Sequence, residues 1–327
     1  MIRVAIGFVL SLGLSAALMP LVISLLSRLK ARQPILGYVE SHKNKSGTPT
    51  MGGAGFVLAA ALPFAFLLRG DPSTALVCLV VTVGYGVIGF TDDYIKVTGG
   101  RNKGLGAGWK LFLQFVVACA VSAYAFFGTA VGGEILVPFT DKPVDLSYFA
   151  LPYYVFVFLA FTNSVNLTDG LDGLAASVTE IFLLCFAALL VVCSAFTPTE
   201  GQVNELLLIA CFAGALAGFL CFNRYPAKVF MGDTGSLALG GLLASLSVLT
   251  GLGLSAAIIG VMYVVSALSV IIQVAVFKMT KKRVFLMSPV HHHFECKGIH
   301  ENHIVAAYTA VTAAAGVCVI ALTFFFS

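Results

Sequence analysis

The sequence predicts an all-α polytopic integral membrane protein with ten transmembrane helices, and composition and patterning carry this prediction. Of the 327 residues 59% are hydrophobic and only 10% are charged, and the mean hydropathy is +0.99. Soluble domains carry about 25% charged residues, so this chain cannot cover a water-exposed surface. Length alone would allow two soluble domains. No polar linker divides the sequence, however, so we expect a single domain over residues 1–327.

Ten apolar runs have the roughly 17–25 residues that a membrane helix needs. Basic residues follow the first run, the reverse of the order in a cleaved signal peptide, so we expect it to be retained as a span. Residues 129–148 hold two short β-prone stretches around a polar turn, which favours a small external hairpin. The ten spans are predicted near residues 4–26, 52–68, 74–91, 111–128, 149–166, 174–195, 205–222, 236–253, 256–277 and 304–326.

Basic residues assign a side of the membrane to each loop. Only Arg3, Arg69 and Lys142 fall on one side, whereas the other 16 of the 19 Lys and Arg fall at or beside the opposite side. The positive-inside rule makes that basic side cytoplasmic and places both termini outside. The cytoplasmic face is then formed by loops near residues 27–51, 92–110, 166–173, 223–236 and 278–303.

Five aspartates gather on the predicted cytoplasmic side, where spans end. Ionisable groups at membrane depth are costly and are usually functional. Five carboxylates at one level need a counter-charge, and Mg²⁺ prefers oxygen ligands such as carboxylates and substrate phosphates. The alternative is five solvated loop residues. The five are Asp92, Asp93, Asp169, Asp172 and Asp233.

The spacing of these aspartates limits which of them share an ion. Asp92 and Asp93 are adjacent, so on a helix they point about 100° apart, and we expect only one to face the phosphates. Asp169 and Asp172 are three residues apart, which places them on one face of a helical turn near the start of the sixth span. Asp233 lies just before the eighth span, whose open N–H groups favour phosphate.

Basic residues and histidines supply further candidate ligands for phosphate. Lys45, three residues before Thr48, is predicted to contact substrate phosphate or nucleotide, while contact with anionic lipid is the alternative for the basic residues. Adjacent histidines diverge on a helix, which disfavours Zn²⁺, and Mg²⁺ avoids imidazole. We therefore expect the histidines to hold pyrophosphate oxygens and to transfer protons near neutral pH, with a solvated loop as the alternative. The remaining residues of this set are Lys96, Lys103, Lys110, His291, His292 and His293.

Five motifs in this order resemble the phospho-N-acetylmuramoyl-pentapeptide transferase (MraY) family, in the polyprenyl-phosphate N-acetylhexosamine-1-phosphate transferase superfamily. The resemblance runs from about residue 43 to 297 and is specific because all five motifs occur together. They are Lys45…Gly47-Thr48-Pro49-Thr50-Met51-Gly52-Gly53, Asp92-Asp93-Tyr94, Asn166-Leu167-Thr168-Asp169-Gly170-Leu171-Asp172-Gly173, Asn223…Phe230-Met231-Gly232-Asp233-Thr234-Gly235-Ser236 and Pro289-Val290-His291-His292-His293-Phe294-Glu295.

This resemblance implies a reaction and its site. UDP-N-acetylmuramoyl-pentapeptide and undecaprenyl phosphate would give lipid I and UMP, with Mg²⁺, at the cytoplasmic face of a bacterial cytoplasmic membrane. It implies that Asp233, with Asp92, holds Mg²⁺, and that Asp92, Asp93 and the histidine motif are essential. A homodimer is expected and a nucleic-acid partner is not. The substrate-binding set, with Phe230 stacking on uracil, is Lys45, Thr50, Lys96, Lys103, Lys110, Asn166, Asp169, Gly170, Leu171, Asp172, Asn223 and Phe230.

Three alternatives stay open at this point. A sister enzyme that transfers N-acetylglucosamine-1-phosphate would share the aspartate motifs, although the three consecutive histidines favour the muramoyl enzyme. A secondary transporter also suits ten spans, but its charges would lie near the bilayer middle and not at one face. Within the transferase, direct attack by the lipid phosphate, with Asp92 as base or positioning group, competes with an aspartyl-phosphate intermediate on Asp92 or Asp93.

Overall fold

The computed structural model describes residues 1–29, 47–99, 104–139 and 143–326. These residues form twelve α-helices and one pair of short strands. Nine of the helices in the described ranges are long and apolar enough to cross a membrane. The helices are α1 (Ile2–Arg28), α2 (Gly53–Leu67), α3 (Ser73–Gly99), α4 (Ala107–Gly128), α5 (Ala150–Thr168), α6 (Leu174–Cys193), α7 (Glu200–Asn223), α8 (Gly232–Leu249), α9 (Gly253–Ile259), α10 (Val261–Thr280), α11 (Val290–Cys296) and α12 (Glu301–Phe326).

The helix α2 is the shortest of the ten predicted spans. Its 15 residues extend about 22 Å, which is less than the ~30 Å thickness of a bilayer hydrocarbon core. It is nevertheless apolar throughout and packs between α1 and α7. The prediction of an all-α polytopic membrane protein is confirmed in this coarser form, whereas the count of ten spans stays a prediction.

One predicted span is divided in the structure. The run 256–277 was expected to form a single helix, but α9 ends at Ile259 and α10 begins at Val261. Gly260 lies between them and caps both helices. The interruption falls within an apolar run, where hydropathy carries no signal for a break, so this boundary prediction was wrong.

Two short antiparallel strands lie between α4 and α5. Strand β1 (Glu134–Leu136) pairs with β2 (Pro143–Asp145), with Ile135 opposite Val144. They fall within the segment 129–148, where the sequence favours a small hairpin. Its location outside the cell stays a prediction.

The helix α8 is the centre of the bundle. Every residue from Thr234 to Leu249 is buried, and α8 packs against α3 on one side and α5 on another. Around this centre, α1 packs on α7 and α6 packs on α12. Small residues in α8 allow this close packing, as is common in membrane helices. Because α8 is central, its first turn, which contains Asp233, lies among the ends of the neighbouring helices.

Segments that the charge pattern assigned to one side do meet at one end of the bundle. Arg3, at the start of α1, forms an ion pair of 2.6 Å with Glu200, at the start of α7. Asn204, also in α7, donates to the backbone carbonyl oxygens of Arg69 and Asp71 at 2.7 and 2.8 Å. The aspartates of the candidate site lie at the opposite end of α3 and α8.

Candidate active site

Three carboxylates meet where the end of α3 passes the start of α8. Asp92 and Asp93 lie in the last two turns of α3, and Asp233 lies in the first turn of α8. One oxygen from each of the three lies within 4.8 Å of the others. Asp92 and Asp93 are buried while Asp233 is partly exposed, so the cluster is open on one side. We call these three residues the carboxylate cluster.

Two lysines neutralise the carboxylate cluster. Lys96 Nζ lies 2.6 Å from Asp92 Oδ2 and 2.7 Å from Asp233 Oδ2. Lys110, in the first turn of α4, donates from Nζ to Asp233 Oδ2 at 2.8 Å. Because charges buried without a counter-charge are strongly unfavourable, these ion pairs allow three carboxylates to lie this close together. The expected substrate-binding lysines Lys96 and Lys110 are therefore both brought to the cluster.

Asp93 has a different role from its neighbour Asp92. Its Oδ2 accepts hydrogen bonds from the backbone N–H and from the hydroxyl of Thr234, at 2.9 and 2.8 Å. It thus binds one of the open N–H groups at the start of α8, where the helix dipole favours a negative charge. Asp92 instead accepts from the backbone N–H of Leu105 at 2.7 Å through Oδ1. The two adjacent carboxylates thus have different hydrogen-bond partners, although Lys96 Nζ also lies 3.9 Å from Asp93 Oδ1.

Close packing between α3 and α8 sets the position of Asp233. Gly89 lies one turn before Asp93, and a Cβ atom at this position would overlap the backbone carbonyl of Asp233. From α5, Asn166 Nδ2 donates to Asp233 Oδ1 at 2.7 Å and to Ser236 Oγ at 2.8 Å. The two Asp233 oxygens thereby have distinct functions, since Oδ1 is fixed by an amide and Oδ2 faces the lysines.

The loop 169–173 does not have the expected conformation. Asp169 and Asp172 were predicted to share one face of a helical turn, but α5 ends at Thr168 and α6 begins only at Leu174. The residues between form a turn, in which Asp172 Oδ2 accepts from the backbone N–H of Ala227 at 2.9 Å. The prediction was wrong because Gly170, between the two aspartates, and Gly173, directly after them, allow the chain to turn instead of continuing a helix.

Asp169 lies electrostatically close to the carboxylate cluster. Burial raises the pKa of Asp169 well above its ordinary value, and the negative charges of Asp233, Asp93 and Asp172 raise it further. Leu171 in the same loop is buried, and Asp172 donates from its backbone N–H to Glu301 Oε2 at 3.2 Å. This hydrogen bond joins the loop to the start of α12.

The histidine motif forms the short helix α11 and packs against the same loop. His291 is fully buried, and its Nε2 lies against Gly170, where a Cβ atom would overlap the imidazole ring. Burial lowers the pKa of His291 to about 3, so its imidazole is neutral at pH 7. His292 Nδ1 lies 3.0 Å from Glu295 Oε2, and His293 Nδ1 accepts from the backbone N–H of Leu286 at 3.1 Å.

A short backbone pairing joins the Thr50 motif to the segment before α8. Phe230 donates from its backbone N–H to Pro49 O at 2.8 Å, and Gly52 donates in turn to Phe230 O at 2.9 Å. Thr50 is buried beside this pairing, and Asn223 Nδ2 donates to Val229 O at 2.8 Å. These contacts bring together three of the expected substrate-binding residues, Thr50, Asn223 and Phe230. Two further members of the expected substrate-binding set, Lys45 and Lys103, lie outside the described residues.

The chemistry of the cluster fits a divalent cation. Asp92, Asp93 and Asp233 offer hard carboxylate oxygens within reach of one ion, as Mg²⁺ requires. The Lys96 ammonium group already binds between Asp92 and Asp233, which shows that a cation is accepted there. Asp92 and Asp233, which this ammonium group bridges, are therefore the better pair of ligands, while Asp93 Oδ2 accepts two hydrogen bonds from Thr234.

Several residues of the site were not found from the sequence. Thr234 binds Asp93, Ser236 binds Asn166, and Gly89 permits the approach of α8. Thr234 and Ser236 are part of a motif that was recognised only for its aspartate and glycines. Gly86 and Gly89, which precede Asp92 at helical spacing, were a signal for close helix packing.

Known proteins are similar to this chain over most of its length. Residues 75–251 match glycosyl transferase family 4. A phospho-N-acetylmuramoyl-pentapeptide-transferase from Clostridium novyi (strain NT) is 42% identical over 90% of this chain and 88% of its own length. Proteins of the same name from Thermoanaerobacter sp. (strain X514) and Clostridium perfringens (strain 13 / Type A) are 44% and 40% identical, over 95% of this chain and of each relative.

The chain is a helical membrane bundle in which carboxylates and lysines meet at the start of the central helix, and it matches a glycosyl transferase family. These features define a polytopic membrane transferase. The chain belongs to the phospho-N-acetylmuramoyl-pentapeptide-transferase (MraY) family, bacterial multi-pass phosphoglycosyl transferases of peptidoglycan synthesis. The resemblance drawn from the five sequence motifs is confirmed, and the transporter alternative is set aside.

Proposed function

We propose that this chain transfers phospho-N-acetylmuramoyl-pentapeptide from UDP-N-acetylmuramoyl-pentapeptide to undecaprenyl phosphate, which gives lipid I and UMP. The site faces the cytoplasm in this proposal, and the protein acts as a homodimer. One observation carries the proposal. Two lysines and three carboxylates converge at the open end of a buried helix, an arrangement suited to binding a diphosphate together with a cation.

Each charged residue has a task in this reaction. Phosphoryl transfer depends on positioning and charge neutralisation, because little covalent chemistry falls to the protein. Lys96 and Lys110 would leave Asp233 for the phosphate oxygens of the nucleotide and neutralise the charge that develops on departing UMP. Asp92, which pairs with Lys96, would remove a proton from the lipid phosphate or position it.

The remaining residues fix the geometry of these groups. Asn166 holds Asp233 Oδ1, and Thr234 holds Asp93. The neutral imidazole of His291 would donate a hydrogen bond to the substrate without adding charge. When bound at Asp92 and Asp233, Mg²⁺ supplies electrostatic stabilisation of the diphosphate oxygens.

UMP release by the purified protein tests the proposal. The protein in detergent is given undecaprenyl phosphate and Mg²⁺, with either UDP-N-acetylmuramoyl-pentapeptide or UDP-N-acetylglucosamine. We expect release from the muramoyl substrate alone, and loss of release on chelation or in Asp233→Asn. Release from the other sugar would instead assign the chain to the sister enzymes, and no release from either substrate in a folded sample would refute the transferase proposal.

A further inference from the structure

Three buried side chains at the junction of α10, α11 and α12 carry polar atoms without a hydrogen-bond partner among the described residues. The atoms are both ring nitrogens of His291, the hydroxyl of Ser266 in α10 and the hydroxyl of Tyr308 in α12. Each of these side chains is at most 2% exposed. Buried polar groups are nearly always paired, so three such groups at one junction need an explanation.

The orientation of His291 separates its two nitrogens. Its Nε2 and Cδ2 atoms face Gly170, the residue after Asp169. Nδ1 is the ring vertex opposite the Nε2–Cδ2 bond, so it points away from this loop and into the helix junction. Val290, the preceding residue, donates from its backbone N–H to Ser269 Oγ at 3.0 Å, which fixes the start of α11 on α10.

Tyr308 is the aromatic neighbour of His291 at this junction. The two ring centroids are 6.2 Å apart, and the ring planes are inclined by 72°. The Tyr308 hydroxyl lies near the hydroxyl of Ser266 without forming a hydrogen bond to it. An unpaired serine hydroxyl and an unpaired phenol hydroxyl therefore lie on the two helices, α10 and α12, that pack against α11.

We propose that Tyr308, supported by Ser266, is a positioning residue that selects the tautomer of His291. The Tyr308 hydroxyl donates to Nδ1, either directly after a small rotation or through one water molecule. Nε2 then carries the ring proton and donates a hydrogen bond at the Gly170 side, where the substrate binds. The part that concerns substrate rests on the proposed function, whereas the tautomer itself does not.

The chemistry of imidazole makes this selection necessary. A neutral imidazole has one N–H donor and one acceptor, and the hydrogen bond at one nitrogen determines the state of the other. Burial keeps His291 neutral at pH 7, so it cannot donate from both nitrogens. The opposite tautomer would present a lone pair at Nε2 to the anionic oxygens of the nucleotide, which is repulsive.

Nitrogen-15 solid-state NMR of the full chain in lipid bilayers tests the tautomer directly. The protein is labelled only at its six histidines, and the His291 signals are identified by their loss in His291→Gln. We expect the Nε2–H tautomer in the wild type and a shift toward Nδ1–H in Tyr308→Phe. An Nδ1–H wild type, or an unchanged tautomer in Tyr308→Phe, would overturn the proposal.

A matched control removes an equally buried hydroxyl elsewhere. Tyr154 is 1% exposed and donates to Gly132 O at 3.0 Å, at the end of the bundle away from the carboxylate cluster. Tyr154→Phe should leave the His291 tautomer and the rate of UMP release unchanged. A tautomer change in this control would mean that loss of any buried hydroxyl perturbs the helix junction, which would overturn a specific role for Tyr308.

Kinetics separate a positioning role from a structural one. Tyr308→Phe should lower kcat about tenfold, with KM for the nucleotide substrate within twofold of the wild type. A changed tautomer with unchanged kcat would overturn the catalytic part of the proposal. If Tyr308→Phe does not fold, Ser266→Ala should show a partial tautomer shift and about a threefold loss of kcat, and no shift there would overturn it as well. If the wild type lacks transferase activity, the proposed function fails and the NMR result still decides the tautomer.

Discussion

Lys96 Nζ donates to Asp233 Oδ2 at 2.7 Å, which joins the end of α3 to the start of α8 by a charged hydrogen bond. The same ammonium group lies 2.6 Å from Asp92 Oδ2. A cation of the protein thus occupies the position between the two carboxylates that we assign to Mg²⁺. Binding of the ion and release of the lysine toward phosphate are therefore expected to be coupled.

Replacement of Lys96 by methionine should separate ion binding from catalysis. Without the competing ammonium, Lys96→Met should bind Mg²⁺ at least tenfold more tightly, since a unit charge at this distance is worth ~1–4 kcal/mol. UMP release should nevertheless fall at least a hundredfold, because the phosphates lose their partner. Mg²⁺ titration followed by thermal stabilisation measures the first effect. Exposed Lys278→Met is the control, and equal or weaker Mg²⁺ binding in Lys96→Met would contradict the coupling.

Thr234→Val should disturb Asp93 without touching substrate. The variant removes the hydroxyl that donates to Asp93 Oδ2 at 2.8 Å and leaves the backbone N–H in place. A buried hydrogen bond to a charged group contributes about 1.5–3 kcal/mol, so we expect a lower melting temperature and about a tenfold loss of kcat. Thr82→Val is the matched control, since that buried hydroxyl donates within α3 to Cys78 O. Equal losses of kcat in the two variants would argue against a special role for Thr234.

Gly89→Ala should separate α3 from α8. A Cβ atom at position 89 meets the backbone of Asp233 and Thr234, which cannot move aside as a flexible side chain can. Overpacking of this kind costs ~1–3 kcal/mol and would displace Asp233 from Lys96. We expect a lower melting temperature and at least a hundredfold loss of UMP release. Gly84→Ala in the same helix adds a methyl group to open space and should be neutral or slightly stabilising; a harmless Gly89→Ala would refute the close-packing argument.

The sequence predicted the helices well wherever hydropathy and helix ends coincide. The third helix is the instructive exception, since the apolar run was expected to end near residue 91 but α3 continues to Gly99. Hydropathy follows the membrane, whereas the helix extends beyond its apolar part because nothing in the chain breaks it there. The extension carries Asp92 and Lys96, at i and i+4, on one face, a pairing that helix geometry makes visible in the sequence.

The sequence predicts which residues belong to the candidate site better than it predicts how they are arranged. Motif order identified the three carboxylates, but no spacing rule relates Asp93 to Thr234, which are 141 positions apart in the chain. The burial of His291 depends on packing of α11 against the turn at 169–173, a contact that only the folded chain provides. His291 is poorly suited to the expected proton transfer near neutral pH, because its pKa lies at about 3.

The buried neutral state of His291 also predicts how stability depends on pH. Its pKa is about 3 in the folded protein and ~6.5 when unfolded, so between these values the unfolded chain binds more protons. Stability from this residue is therefore complete above pH ~6.5 and is lost as the pH falls toward 3. One pKa unit corresponds to about 1.4 kcal/mol, so a loss approaching ~2 kcal/mol is expected between pH 6.5 and 5.

Equilibrium unfolding in mixed micelles at pH 7 and pH 5 measures this contribution. The difference in the free energy of unfolding between the two pH values should be smaller in His291→Gln than in the wild type. The exposed His303→Gln should keep the wild-type difference. Parallel pH dependence of His291→Gln and wild type would show that His291 does not hold a depressed pKa.

The ground-state contacts favour direct attack of the lipid phosphate over a nucleophilic Asp92. An aspartate nucleophile needs a carboxylate oxygen free to approach phosphorus, yet both Asp92 oxygens have partners, Lys96 at 2.6 Å and the Leu105 N–H at 2.7 Å. Asp93 Oδ2 is bound by Thr234 through two hydrogen bonds. A covalent intermediate on Asp92 would have to break its contacts before the first step, whereas Asp93 Oδ1 has only Lys96 Nζ at 3.9 Å.

Isotope exchange distinguishes the two routes. Labelled UMP is incubated with enzyme, Mg²⁺ and UDP-N-acetylmuramoyl-pentapeptide in the absence of undecaprenyl phosphate, after lipid has been removed from the sample. A covalent intermediate would return label to the nucleotide sugar, because UMP leaves before the acceptor is needed. We expect no exchange until undecaprenyl phosphate is added, since direct transfer requires both substrates at once. Exchange without acceptor at a rate comparable to turnover would instead establish an aspartyl-phosphate route, and its loss in Asp92→Asn but not in Thr234→Val would then identify Asp92 as the nucleophile.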